Sequence, residues 1–176
     1  MPYIIDDANF DVRNLVGGII ASYPFIVSGI RYSCWFTELT VDLESVEDTV
    51  REIEEDGIYN PENNTFKVDF DLESNFITYD EDELFKIPEG GYGNSIRDMR
   101  DITSAICEII QIHQQIYDCI FYFAEPATEG HENLYRRNMI PLLMDSGYSY
   151  HILNENAEEI NTYIFIKNVG DEVNEY

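Results

Sequence analysis

Residues 95–124 read SIRDMRDITSAICEIIQIHQQIYDCIFYFA, and this stretch decides the fold class. Ser95 with Asp98 is a capping box, the pattern that opens a helix by satisfying its first free N–H groups. Ile96, Met99, Ile102, Ile106, Ile109, His113 and Ile116 then keep helical spacing for about six turns. Cys119 to Ala124 follows as an almost wholly apolar run, which predicts a central strand buried on both faces.

Upstream, Phe66, Val68, Phe70 and Leu72 alternate with Lys67, Asp69, Asp71 and Glu73. A period of two predicts a half-buried strand whose wet face carries the acids about 7 Å apart. Glu73-Ser74-Asn75 reads as a turn and Phe76 to Tyr79 as the returning strand. Before that, Ser45 with Asp48 caps a second helix, Val46, Val50 and Ile53 form its stripe, and Gly57 stops it. Residues 3–5 and 25–36 read as strands. The apolar run Leu15 to Ile30 is core strand or buried helix, being broken by glycines and Pro24 and preceded by acids rather than a signal-peptide charge.

Downstream, a helix covers 131–145. Pro141 lies inside it and predicts a break near Asn138, because an interior proline costs about 3 kcal/mol. Strands at 148–153 and 161–167 close the chain. The expectation is one α+β domain over 1–176, with a mixed or mostly antiparallel sheet and about three helices.

Composition narrows the function classes. There are 35 Asp plus Glu against 10 Lys plus Arg, a net charge of −25. Glu38 to Glu89 holds 18 carboxylates and only Arg51, Lys67 and Lys86 as bases, so −15 of that charge sits there. Such a surface repels nucleic acid, anionic membranes and phosphorylated metabolites, and attracts the proteins that bind them. With 13 Tyr and 10 Phe the chain is nonetheless rich enough in aromatics to fold. Cys34, Cys107 and Cys119 are an odd number without CxxC spacing, which suits a reduced cytoplasm.

Between residues 84 and 95 lies Pro88-Glu89-Gly90-Gly91-Tyr92-Gly93, after an expected strand at Leu84 to Ile87 and before the long helix. Backbone N–H groups at such a turn can cradle an anion. A glycine turn, a long helix, an apolar strand, a helix bearing Tyr135 and two closing strands together resemble the second half of the GNAT acyltransferase fold, over residues 83–167. The resemblance implies that Gly91 and Gly93 bind the pyrophosphate of acyl-coenzyme A and that Tyr135 protonates the leaving thiolate. Pro88 stands where that family has a basic or amide residue, and the run from Tyr135 to Gly147 is longer than the family's.

Other chemistry is thin. Asp69-x-Asp71-x-Glu73 lacks the glycine and the bidentate glutamate of a calcium loop, and no metal site or cofactor is expected. His113, His131 and His151 have no paired spacing; His113 reads as a satisfied core residue, and His131 with Glu132 as an exposed helix start. Arg136 and Arg137 read as neutralising neighbours such as Glu132.

A duplex carries about one negative charge per 1.7 Å of axis, and carboxylates about 5–6 Å apart on helices approach that density. In charge behaviour the chain is similar to DNA-mimic inhibitors, the setting being an immunity or anti-defence protein in a bacterial cytoplasm. The expected function is therefore a non-enzymatic acidic protein that blocks a cationic, nucleic-acid-handling protein. Its expected partner-binding residues are Glu47, Asp48, Glu52, Glu54, Glu55, Asp69, Asp71, Glu73, Asp80, Glu81, Asp82 and Glu83. The alternatives are an acyltransferase using Tyr135 with Gly91 and Gly93, and a structural or assembly subunit whose acid only keeps it soluble.

Overall fold

The computed structural model describes residues 3–15, 18–39, 64–74, 96–126, 129–153 and 161–168. Eight strands form one sheet: β1 (Tyr3–Ile5), β2 (Asp11–Leu15), β3 (Gly18–Val27), β4 (Ile30–Glu38), β5 (Thr65–Leu72), β6 (Phe121–Ala124), β7 (Tyr148–Leu153) and β8 (Thr162–Lys167). Their order is β1-β3-β4-β5-β6-β8-β7, with β2 on β3 as well. Every pairing is antiparallel except β5 with β6. The sheet is mixed and mostly antiparallel, and the protein is α+β.

The run Leu15 to Ile30 resolves into strand. Ser28 and Gly29 both take positive φ, 51° and 82°, the two left-handed residues that a tight hairpin turn needs to match the twist of its strands. Pro24 is tolerated because of where it falls. β2 pairs with β3 up to Ser22 and β1 from Phe25, so the missing N–H lies at the junction between the two partners. There the Pro24 carbonyl still accepts the Asp6 N–H at 2.9 Å.

Between the parallel strands runs α1 (Ile96–Tyr117), the helix expected from its apolar stripe. Ile102, Ile106, Ile109, Ile110 and His113 are buried along it, against Tyr23, Phe36, Phe66 and Tyr122 of the sheet. Each fully buried side chain of this size contributes about 1.5–3 kcal/mol. β6 is two-sided as expected. Tyr122 and Ala124 join the main core, while Phe121 and Phe123 pack with Ile164 in a second cluster.

The expected break near Asn138 does not occur. α2 (Glu129–Leu134) passes through a π-helical turn (Tyr135–Met139) into α3 (Ile140–Asp145) without leaving helical geometry. Pro141 has no N–H to give the Arg137 carbonyl and its ring would crowd that oxygen. The chain widens instead, and the Ile140 N–H bonds to the Tyr135 carbonyl five residues back. The helix expected at 46–56, the strands at 76–79 and 84–87, and the glycine turn at 90–93 lie outside the described residues.

Candidate functional site

The sheet corrects one expectation directly. Asp69 and Asp71 do not stand on a wet strand face, and Glu73 falls just past the end of β5, partly exposed. β5 is central, with both edges bonded, to β4 from Phe66 to Leu72 and to β6 from Thr65 to Lys67, and the side chains of Lys67 and Asp69 keep only 18 % and 21 % of their surface exposed. Asp71 is only 3 % exposed, and its Oδ1 accepts the Leu72 N–H at 2.7 Å. Asp69 lies 3.8 Å from Lys67, whose ammonium also meets Glu125 at 3.2 Å. Glu73 receives two bonds from the Arg31 guanidinium, at 2.6 and 3.1 Å, and Arg31 also reaches Asp6 at 3.3 Å.

Within the half-buried trio of Lys67, Asp69 and Glu125, protonation is unequal. Burial pushes the Asp69 carboxyl up to about 6; Lys67 opposes the rise and Glu125 adds to it. Burial works against the Lys67 charge, but Asp69 and Glu125 outweigh it and hold the ammonium above its ordinary value. The other nine expected partner-binding acids, Glu47, Asp48, Glu52, Glu54, Glu55, Asp80, Glu81, Asp82 and Glu83, lie outside the described residues, as do Gly91 and Gly93.

At the far end of β5 a cleft opens between the sheet and two helices. Phe70 and Asp71 of β5, Met99 and Ile102 of α1, and His131 and Leu134 of α2 line it, with Tyr32 of β4. The cleft is small, with about 20 Å³ of room. His131 is half-buried rather than exposed, and its ring lies 5.6 Å from that of Phe70. Burial lowers its pKa, with Asp71 opposing, so the imidazole is neutral at pH 7. That Asp71 and His131 line one cleft was invisible in the sequence, because 60 positions and a parallel crossover separate them.

Tyr135, the resemblance's candidate acid, is buried on the same helix run. Its ring meets Tyr163 edge-on at 5.6 Å and lies 6.3 Å from Phe70. Burial first, then Asp69, Cys34 and Glu125, raise its hydroxyl well above the ordinary value. A phenol so placed keeps its proton at neutral pH. Asp69 and Glu125 act on it where β5 and β6 stop pairing, beyond Lys67 and Phe123.

Beside it Glu132 collects donors. Asn161 Nδ2 and the Tyr163 hydroxyl both bond to it, and Arg136 reaches it at 3.2 Å. Those contacts, Asn161 foremost, hold Glu132 below the usual carboxylate range. Arg136 thus neutralises Glu132, as expected, and donates to the Tyr163 hydroxyl at 2.8 Å.

The remaining candidates are structural. His113 is buried within the aromatic core, 4.0 Å from the Phe36 ring, with Nδ1 2.9 Å from the Tyr122 hydroxyl. Burial lowers its pKa to about 3. Among the described residues its Nε2 has no hydrogen-bond partner. Cys34, Cys107 and Cys119 are free and buried. Burial pushes the Cys107 and Cys119 thiols up to about 12 and Cys34 well above its ordinary value, so none is a thiolate nucleophile.

Among the described residues no group of three or more His, Cys, Asp or Glu is placed to hold a metal ion. Nor is any described helix long and apolar enough to cross a membrane. No family model, no curated protein and no solved structure matches this chain.

Proposed function

We propose that this chain is a non-enzymatic acidic binding protein that blocks a cationic, nucleic-acid-handling partner. The observation that carries the reading is the charge between Glu38 and Glu89, 18 carboxylates against three bases. Self-repulsion on that scale opposes compaction, so it is kept for a gain made in binding. The pattern of ion pairs supports the same reading. Arg13, Arg31, Lys67, Arg97 and Arg136 each lie within 4.0 Å of a carboxylate. Bases are therefore consumed locally, and the charge left over is acid. The cleft beside α1 has a carboxylate in its wall and, among its described lining residues, neither Lys nor Arg, which suits a phosphate poorly.

The test is binding to purified cationic nucleic-acid-handling proteins from the native host, with NaCl raised from about 50 to about 500 mM. Affinity should fall steeply with salt, and duplex DNA should compete. Replacing Asp80, Glu81, Asp82 and Glu83 by their amides should weaken binding together. Binding indifferent to salt, to duplex and to those changes refutes the reading.

One observation favours a second reading, an acyl-coenzyme A protein of GNAT type: the succession α1, β6, a helix run bearing a buried and protonated Tyr135, then β7 and β8. Calorimetric titration with acetyl-coenzyme A decides it, since absence of both heat and thermal shift removes it.

A further inference from the structure

The two ends of the sheet are built differently. At one end β1 holds three residues and β2 carries Asp11 and Arg13, so that edge is short and charged. At the other end β7 runs for six residues, Tyr148-Ser149-Tyr150-His151-Ile152-Leu153, without Pro, Gly, Asp, Glu, Lys or Arg. Short length, charge and proline are the devices that keep a sheet edge from pairing with another chain, and β7 has none of them. Among the described residues no strand pairs with its outer edge. The ladder fixes which groups that edge offers. The Asn168 N–H bonds to the Gly147 carbonyl at 2.9 Å, and in an antiparallel pair bonded and unbonded residue pairs alternate. Counting on from Gly147, the bonded pairs are Ser149 with Ile166, His151 with Ile164 and Leu153 with Thr162. The Lys167 N–H, which goes to the Ile120 carbonyl at 2.8 Å on the β6 side, agrees with this phase. Tyr148, Tyr150 and Ile152 therefore turn their N–H and C=O groups outward, and Tyr150 is 38 % exposed.

We infer that the outer edge of β7 receives an extended, cationic segment of the bound partner as an added strand. This rests on the proposed function and deepens it, by naming the kind of segment that is bound. In strand addition the main-chain bonds give affinity and alternate side chains give specificity. The charge of the occupant follows from the chain. Its net charge is −25, and Glu155 follows β7 by two positions. Asp145, three positions before β7, is exposed. Lys167, the base opposite Tyr148, is engaged by the Ser146 carbonyl at 2.7 Å and lies over the Tyr148 ring. A second copy of the chain would bring the same −25 against itself, whereas a basic strand is drawn to it. On the face shared by Tyr150 and Ile152 the added strand meets an aromatic ring and an aliphatic group, so a segment alternating apolar and basic residues suits the edge.

The experiment uses the full chain and the peptide acetyl-Lys-Val-Lys-Val-Lys-Val-Lys-amide, followed by ¹⁵N-resolved amide hydrogen exchange. In the free chain the Tyr150 and Ile152 amides should exchange at least about tenfold faster than that of His151, and about 1 mM peptide should protect them. Two further forms, N-methylated at every valine or at every lysine, separate strand addition from simple charge attraction. In an added strand the amides of one parity face β7, so one form should lose at least about tenfold in affinity while the other keeps it. The acidic peptide with Glu in place of Lys should bind at least about tenfold more weakly. Tyr150→Pro removes an outward N–H and leaves the bonds to β8 intact, so it should abolish protection of Ile152 by the peptide. Should that variant fold poorly, the two N-methylated forms decide on the native chain.

Tyr150 and Ile152 amides as slow as that of His151 in a free monomer mean that the chain closes its own edge, and overturn the inference. The same protection in a dimer seen by sedimentation assigns the edge to a second copy and overturns it as well. So do absence of protection at about 1 mM peptide, equal binding of the two N-methylated forms, and equal binding of the acidic peptide. The two proposals fail separately. Absent peptide protection, beside intact salt-sensitive partner binding, removes the added strand alone. Salt-insensitive partner binding, with the peptide still protecting Tyr150 and Ile152, removes the proposed function and leaves an edge that takes basic strands.

Discussion

Replacing Asp69 by Asn should reverse part of the pH dependence of stability, and the size of the effect follows from the Lys67–Asp69–Glu125 cluster. Asp69 titrates near 6 in the fold against 3.8 as an ordinary aspartate. The folded chain therefore holds a proton on Asp69 at pH values where the unfolded chain has lost it, so this group's contribution to stability falls as pH rises. Two units, at 1.36 kcal/mol each, give a full span of about 3 kcal/mol. Between pH 5 and pH 8, with folded and unfolded titrations both weighed, the loss is about 1.4 kcal/mol. That figure is an upper bound, because the side chain is still 21 % exposed to water.

Asparagine keeps the shape and cannot ionise. The stability of Asp69→Asn relative to the native chain should therefore rise by about 1.4 kcal/mol on going from pH 5 to pH 8. Urea unfolding at both pH values, followed by far-ultraviolet circular dichroism, measures the difference. The isoelectric point near 4.1 makes pH 5 the practical lower limit. Repulsion elsewhere is nearly common to both proteins and cancels. A relative stability that does not change with pH, or changes with the opposite sign, refutes the burial of an ionisable Asp69 beside Glu125.

His113→Phe should act on the opposite slope. The imidazole is held down to about 3 from 6.5, so the unfolded chain takes the proton first as pH falls. Stability from this group is complete above pH 6.5 and is lost below it, by about 2 kcal/mol at pH 5. The variant should lack that loss in the same urea titrations, and an unchanged pH profile would refute a neutral buried histidine. Pro141→Ala restores the N–H that the Arg137 carbonyl lacks and should let the π turn close to ordinary α geometry. A residue's worth of rotation would then carry the Tyr135 ring away from Tyr163, visible as altered ring chemical shifts. Unaltered shifts would mean that core packing, not Pro141, imposes the turn.

The fold was legible wherever a period was clean. The stripe from Ile96 to Ile116 gave its helix to within a residue, and Cys119 to Ala124 gave a strand apolar on both faces because both faces are buried. The strands at 148–153 and 161–167 needed only their bounding residues. Two errors share one cause, that local patterns do not report what lies across the sheet. Alternation in Phe66 to Glu73 implied one wet face, but the acids of a central strand can be shielded when the strand's own Lys67 and, from β4, Arg31 meet them. Pro141 implied a break, but a helix anchored by Tyr135, Met139 and Leu143 in the core can widen at lower cost than it can end. The cleft had no signature at all, since Asp71 and His131 come to line it only through the crossover.

The shielding of the β5 acids changes where the displayed charge must be sought. The described residues hold 15 of the 35 carboxylates and 8 of the 10 bases, a net of −7. The remaining positions hold 20 carboxylates against Arg51 and Lys86 alone, a net of −18. Charge reversal at Asp69, Asp71 or Glu73 would strand an ion in the core or beside Arg31, and would be felt as lost stability before it was felt as lost binding. Reversals meant to read out partner affinity therefore belong at 47–55 and 80–83. The amides at 80–83 should act mainly on the association rate of the partner and flatten the salt dependence of its binding, whereas a binding loss that left the association rate and the salt dependence unchanged would refute a steering role for those acids.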